Sequence, residues 1–334
     1  MTMRFASVEV PGGRRTVIAD PGNDRSIVDL TTLLGVDAIT LHAVIDLDPA
    51  AFDDLVRRIH ASRTPADLDL AEVKWLPPVL RPSKIVGVAL NNDVFDYLAV
   101  RKMVNPMYFL APPSSLLGHG GSIELDPTWG VVHPEPELGA IIGRTLRRAG
   151  PTEALAGVFG YTIVNDVTSP GIKSEDSIEL VMPQGFSIDE PWRRTHGEQD
   201  TSLYLTYHAR SKGTDTFTPI GPWVTARSDI ADPNALGVRS YLDEDLVLED
   251  STSNLTFPVQ DVLAHLSRSM TLLPGDIVHF GTAARPSCPD RFPTIRAIDL
   301  ARFGNRVSVE IDGIGRLDNG IDRFSLISTD RDSP

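Results

Sequence analysis

The chain has 334 residues, with 31 Lys and Arg against 45 Asp and Glu, a formal net charge of −14 and a single cysteine, Cys288. That length can bury a large core, enough for one large domain and a smaller one. The acidic balance excludes a surface built for nucleic acid or an anionic membrane, both of which need clustered Lys and Arg. One cysteine excludes an internal disulfide and fits a reducing cytoplasm. The opening segment MTMRFASVEVPGGRRT lacks a continuous apolar run, so no secretory leader is expected. No run of about 18 apolar residues exists, so no membrane span is expected.

The first forty residues alternate short apolar runs with turns at Pro11-Gly12-Gly13 and Pro21-Gly22-Asn23, as small strands do. Pro49 to Ser62 predicts a helix, with Phe52, Leu55, Val56 and Ile59 on one face. Ala66 to Pro82 is Pro-rich and reads as a linker out of a small N-terminal α/β domain, residues 1–78. From residue 79 to 330 β character dominates. Strands are expected at Lys84–Leu90, Leu138–Ile142, Tyr161–Val164, Leu203–His208, Leu246–Leu248, Asp276–Gly281 and Arg306–Ile311. A helix is expected from Asn92 to Met103, capped by Asn92 or Asp93, and another from Pro258 to Met270 with a core-facing stripe. The polar stretch from Lys173 to Glu198 reads as an ordered excursion or lid and not as a strand. The fold class is therefore α+β, mostly β.

The most informative pattern is HPEPELGAIIGR followed by YTIVNDVTSP. Side chains alternate faces along a strand, so Glu135 and Glu137 aim two carboxylates at one place. Asp166 ends a second apolar run where a strand gives way to a loop. Three clustered carboxylates repel unless a cation sits among them. Oxygen donors alone favour Mg²⁺, Mn²⁺ or Ca²⁺ over zinc, so Glu135, Glu137 and Asp166 are the candidate metal ligands. Lys212, in a polar loop that runs into a turn at Pro219, Gly221 and Pro222, is placed to pair with a substrate carboxylate or a developing enolate. Gly281 and Thr282, closing the LPGDIVHFGT segment, offer a backbone N–H and a hydroxyl to the other end of an acid. Asn91 follows the first strand of the large domain and is a further candidate for binding substrate.

VALNN, YFLAPPSSLLGHGGSI, PEPELGAIIGR, GYTIVNDVT, KGTDTFTPIGPW, STSNLTFPVQDVLAHLS, TLLPGDIVHFGTA and VSVEIDGIGRLDN occur in order between about Lys84 and Asn319. Their combination resembles the fumarylacetoacetate hydrolase family. The resemblance implies a C-terminal domain built as a mixed β-roll, a divalent metal on Glu135, Glu137 and Asp166, and a homodimer. It also implies substrates that are 2-oxo acids, often acylpyruvates. Such acids chelate a hard cation, which stabilises an enolate by Lewis-acid action; C–C bond hydrolysis is the family's default outcome.

The chain departs from the family pattern at its acid–base equipment. Where family hydrolases and decarboxylases carry a His and, three residues on, a Glu, this chain has Phe95 and Leu98, which cannot shuttle protons. The family's Tyr is Asn92, its Lys is Ala111, and its Arg and Gln are Pro170 and Lys173. Another group then has to serve as base: His119 in LLGHGG, His133 beside the carboxylates, or Lys173, His196 or His208 around the excursion. Alternatively the reaction needs less water activation, as in dehydration, hydration or isomerisation of a 2-keto acid. GHGGSI, TWGVVHPEPEL and GTAARP are similar to the 2-keto-3-deoxy sugar acid dehydratase branch of the family. A non-catalytic binding protein of the same fold is a third reading, opposed by the retained carboxylates.

Overall fold

The computed structural model describes residues 2–19, 26–36, 39–61, 68–70, 73–99, 102–183 and 202–324. A 12-stranded sheet forms its centre. Its hydrogen-bonded path runs Leu68–Asp69, Ser26–Asp29, Gly13–Ala19, Arg4–Val10, Thr218–Ala226, Val158–Asn165, Pro136–Ile142, Ile277–Thr282, Ile85–Ala89, Met107–Ala111. A five-stranded sheet contains Asp245–Ser251, Gly237–Leu242, Arg306–Ile311, Gly315–Arg323 and Ser122–Leu125. Both sheets mix parallel and antiparallel pairs: Ile277 lies parallel to Ile85 and Gly320 to Ser122, while most other neighbours are antiparallel. This is the mostly β architecture expected for the family.

The central strands are buried almost along their whole length because both faces of the large sheet are covered. All seven residues of Pro136–Ile142 are buried, as in strands packed on two sides. On one face Val86, Leu138 and Val278 pack with helix Val259–Ser269 and with Val309, Ile311 and Leu317 of the smaller sheet. On the other, Ile85, Ile141 and Ile220 pack with Leu55 and Ile59 of helix Pro49–Ala61. Phe52 of that helix meets the Phe5 and Phe159 rings at 6.4 and 5.9 Å. Both amphipathic stripes thus face the core. Pro258 is the residue before the first helical turn, with extended backbone.

Several local readings are corrected. Pro219, Gly221 and Pro222 do not form a turn; they lie inside strand Thr218–Ala226. A register shift in the facing strand between Tyr161 and Ile163 relaxes the pairing there, which lets the sheet accept residues without a ladder N–H. Lys212 is not in a loop but on a short helix, Ala209–Gly213. Part of the excursion is a strand after all: Ser177–Val181 pairs with Ser202–Thr206 in a ribbon, while residues 184–201, including His196, lie outside the described residues. The helix expected from Asn92 to Met103 is the shorter Asp93–Leu98, with Asn92 as its cap. The Pro-rich linker contributes strand Lys74–Leu76, paired with Arg4–Val10. Arg4–Val10 in turn bonds to Thr218–Ala226, so one sheet runs across the expected boundary near residue 78. Among the described residues no helix is long and apolar enough to cross a membrane.

Candidate functional site

Three adjacent strands bring the chemistry to one end of the large sheet. Glu137 opens its strand opposite Val164 on one side and Thr282 on the other. Antiparallel pairing therefore sets the start of Pro136–Ile142 beside the ends of Val158–Asn165 and Ile277–Thr282. The Asp166 N–H donates to the Glu135 carbonyl at 2.9 Å, and the Glu135 N–H donates to the Asn165 side chain at 2.9 Å. The Ala283 N–H donates to the Pro136 carbonyl at 2.9 Å.

The side chains form one buried cluster. Lys212 Nζ donates to Asp166 Oδ2 at 2.5 Å and to Glu135 Oε2 at 2.8 Å, and lies 5.1 Å from the centre of the Phe109 ring. Thr168 Oγ1 donates to Glu135 Oε1 at 3.0 Å, and His133 Nε2 is 3.4 Å from the same oxygen. Glu137 Oε2 meets His279 Nδ1 and accepts the Gly281 N–H, both at 2.7 Å. Gly281 has φ +104, and a Cβ there would come within 2.7 Å of the Asn91 Cβ, so a side chain at 281 would displace the N–H that fixes Glu137.

Burial and mutual charge set the protonation of the cluster. Burial would raise the Glu135 carboxyl, but Lys212, His133 and the bonds from Lys212 and Thr168 hold it below its ordinary value. Asp166 is pushed up by burial, with Glu137 and Glu135 adding to the effect against Lys212 and His279. Burial would lower the Lys212 ammonium, but Asp166, Glu135 and Glu137 push it up, so it stays charged. His133 is drawn down to about 4 by burial, against Glu135 and with Lys212 and Arg296 assisting, so it is neutral near pH 7. His279 is raised, because Glu137 and Asp166 outweigh its burial.

These residues suit a divalent cation. Donor atoms of Glu137, Asp166 and His279 all lie within 4.8 Å of one another, and all three residues are buried. Three carboxyl groups converge here with one lysine bridging two of them, an excess of acidic groups that a divalent ion would offset. The structure thus brings the three expected carboxylates together and adds His279. Glu135 is drawn to Lys212, Thr168 and His133, and it does not belong to the tight donor group. His279 was missed because one histidine in an apolar run most often reads as core.

Other candidates have different surroundings. The Asn91 amide is committed to backbone: it donates to the Phe257 and Phe280 carbonyls at 3.0 and 2.7 Å and accepts the Phe257 N–H at 2.7 Å. It holds two segments together and has no amide hydrogen left for a substrate. Thr282 donates its hydroxyl to the Ala283 carbonyl at 3.0 Å. His119 accepts the Asp318 N–H at 3.0 Å and lies edge-on to Trp75 at 5.7 Å; none of these partners belongs to the carboxylate cluster. His208 lies 6.4 Å from the Phe109 ring, and burial, then Lys173 and Lys212, lower its pKa. Phe95 is half-buried and Leu98 exposed on the helix that begins beside the cluster.

That helix is tied to the site by Asp250, a residue the sequence did not single out. Asp250 Oδ2 accepts the Asn92 amide and the Ala284 N–H, both at 3.0 Å, and Oδ1 accepts Arg285 at 2.5 Å. Asn92 also donates to the Thr282 carbonyl at 3.1 Å. Burial would raise Asp250, but hydrogen bonds from Asn254, Ala284, Ser251 and Asn92 lower it. A carboxyl depressed in the folded state stabilises above its unfolded pKa and loses that contribution as pH falls through the folded value. Asp250→Asn is expected to cost about 2–4 kcal/mol at pH 7. In urea unfolding followed by circular dichroism, the gap from wild type should narrow as pH drops below about 4. A gap independent of pH would contradict the assignment.

Comparison with known proteins finds similarity over most of the chain. The Fumarylacetoacetate (FAA) hydrolase C-terminal family pattern matches residues 84–322. A protein of Archaeoglobus fulgidus is 31% identical over 254 residues, 76% of this chain and 84% of its own. The mitochondrial oxaloacetate tautomerase Fahd2a of Rattus norvegicus is 27% identical over 303 residues, 90% of this chain and 86% of its own. The crystal structure of maleylpyruvate hydrolase from Sphingobium sp. SYK-6, in complex with manganese(II) and pyruvate, is 26% identical with a TM-score of 0.68, covering 96% of this chain and 99% of that one.

Proposed function

The chain belongs to the fumarylacetoacetate hydrolase family, and on that footing we propose that it is a divalent-metal-dependent enzyme moving a proton in a 2-oxo acid, by tautomerisation or isomerisation. The observation that carries this reading is the buried convergence of Glu135, Glu137, Asp166, His279 and Lys212 beside a helix that has Phe95 and Leu98 where water activation would need proton carriers. On that helix the remaining acids are engaged, Asp93 by Arg285 and Asp96 by Thr256. A tautomerase and a manganese- and pyruvate-bound hydrolase among the similar proteins are consistent with a 2-oxo acid substrate.

A cation held by Glu137, Asp166 and their neighbours would supply Lewis-acid stabilisation of the negative charge that develops when a proton leaves the carbon beside the keto group. Lys212, fixed as an ammonium, holds Glu135 and Asp166 in place and adds a fixed positive charge without acting as a base. His133 is neutral near pH 7; with Nε2–H toward Glu135, its Nδ1 keeps a lone pair, and that atom has no partner among the described residues. It is a neutral member of the cluster whose free lone pair can receive a proton.

The test is nuclear magnetic resonance of oxaloacetate and acylpyruvates incubated in D₂O with Mg²⁺, or with Mn²⁺ sequestered by EDTA before the spectrum is read, against EDTA throughout. Enzyme-dependent deuterium entry at C3 with the carbon skeleton intact is expected. Cleavage into two acids would favour hydrolysis, and loss of water would favour a dehydratase. No metal-dependent reaction across the panel would overturn the enzyme reading.

A further inference from the structure

Two cations beside the carboxylate cluster lack an acid of their own. Lys173 lies in helix Pro170–Glu175 and Arg296 in the helical turn Ile295–Ala297. Among the described residues neither side chain makes a hydrogen bond or an ion pair. The acids nearest in sequence are taken: Glu175 and Asp176 by Arg210, and Asp299 by Arg302 and by the Val132 and Ala301 N–H groups. A chain with a net charge of −14 thus leaves these two cations unpaired.

Backbone bonds bring both to the same edge of the cluster. Ser169, which caps the Lys173 helix, donates its N–H to the Ser211 carbonyl at 3.1 Å, next to Lys212. The Leu300 N–H donates to the Val132 carbonyl at 2.7 Å, and the Val132 N–H to Asp299 Oδ1 at 3.2 Å, which fixes the Arg296 segment beside His133. His133 and Thr168 exchange backbone bonds at 2.9 and 3.1 Å, joining the two segments at Glu135. The charges accordingly reach one another: burial lowers Lys173 first, then Arg296 and Lys212, against Glu135. His208 borders the same two lysines, and its buried Nδ1 has no partner among the described residues. Like charges held together repel, and partial burial adds to the cost unless an anion enters.

We infer that Lys173 and Arg296 hold a second acidic group of the substrate, so that the site selects a 2-oxo acid with an anionic far end over a monoacid of equal length. This rests on the proposed metal-bound 2-oxo acid: the cation takes the keto and carboxylate oxygens at one end, and the two basic side chains take the other. A lysine point charge and an arginine fork both suit a carboxylate. A monoacid leaves them facing an apolar group, and the discrimination arises there.

Competition against labelled oxalate on the Mn²⁺-loaded full chain ranks acids in pairs of equal length: 2-oxobutyrate with oxaloacetate, 2-oxovalerate with 2-oxoglutarate, 2-oxohexanoate with 2-oxoadipate. At one length or more the diacid should compete about 10-fold better, the scale of one hydrogen bond to a charged group. Lys173→Met and Arg296→Met should each shrink that ratio several-fold, and Lys173→Arg should retain most of it. Both Met variants should fold, since neither side chain has a partner to lose. A loss shared equally by monoacid and diacid, a ratio unmoved in the variants, or no diacid preference at any length would overturn the assignment and leave the metal site standing. Oxalate that does not bind the Mn²⁺-loaded wild type would overturn the metal reading and this assignment with it.

Discussion

Glu137→Gln is expected to abolish metal binding while leaving the chain folded. The carboxylate is almost fully buried and takes the Gly281 N–H and His279 at 2.7 Å each. Gln keeps the shape but offers a neutral oxygen on one side and a donor on the other. It removes one of the charges a cation would neutralise, and it relieves the repulsion that raises Asp166. The metal-free protein should therefore melt close to wild type. Wild type should gain about 2.7 kcal/mol from a divalent ion at 100 times its dissociation constant, and the variant should gain nothing. Turnover should fall on the order of 10³-fold, the scale for losing a group that stabilises developing charge. Calorimetry with and without Mn²⁺ reads the first effect; a retained metal shift would contradict the role of Glu137.

Lys212→Met should act in the opposite order, on folding first. Lys212 is buried and bridges Glu135 and Asp166. Without it two carboxylates face each other in a low-dielectric pocket, and breaking such a pair by removing one partner costs about 3–5 kcal/mol. A divalent ion should recover part of that loss, because it neutralises the same charge. Urea unfolding in EDTA and in Mn²⁺ tests this. A variant as stable as wild type in EDTA would show that Lys212 is not the counter-ion of the cluster.

Much of the site was legible because strand geometry is local. Glu135 and Glu137 two apart, and Asp166 at the end of the next apolar run, needed only the period of two and an antiparallel neighbour. His279 was not legible, since its meaning depends on a third strand supplied more than a hundred residues later. Asp250 was hidden for the same reason: its partners Asn92, Ala284 and Arg285 come from distant segments.

Misreadings of the fold share a cause. Pro219, Gly221 and Pro222 carry turn chemistry, and only the altered register of the neighbouring strand explains a strand there. Helix Ala209–Gly213 is too short to form alone; it is held where the Ser169 N–H donates to the Ser211 carbonyl at 3.1 Å. Ser177–Val181 is exposed along its whole length and so lacks the buried face that marks a strand in sequence. The amphipathic helices, by contrast, were read within a few residues of their ends, because their apolar stripes face the core directly.

The central claim is that a divalent cation at Glu137 and Asp166 captures a 2-oxo acid. Titration calorimetry of oxalate, a stable chelator resembling the enolate of such an acid, tests it most directly. Oxalate should bind the Mn²⁺-loaded wild type, and neither the EDTA-treated protein nor Glu137→Gln in Mn²⁺ should bind it. Equal oxalate affinity with and without the metal would contradict the account.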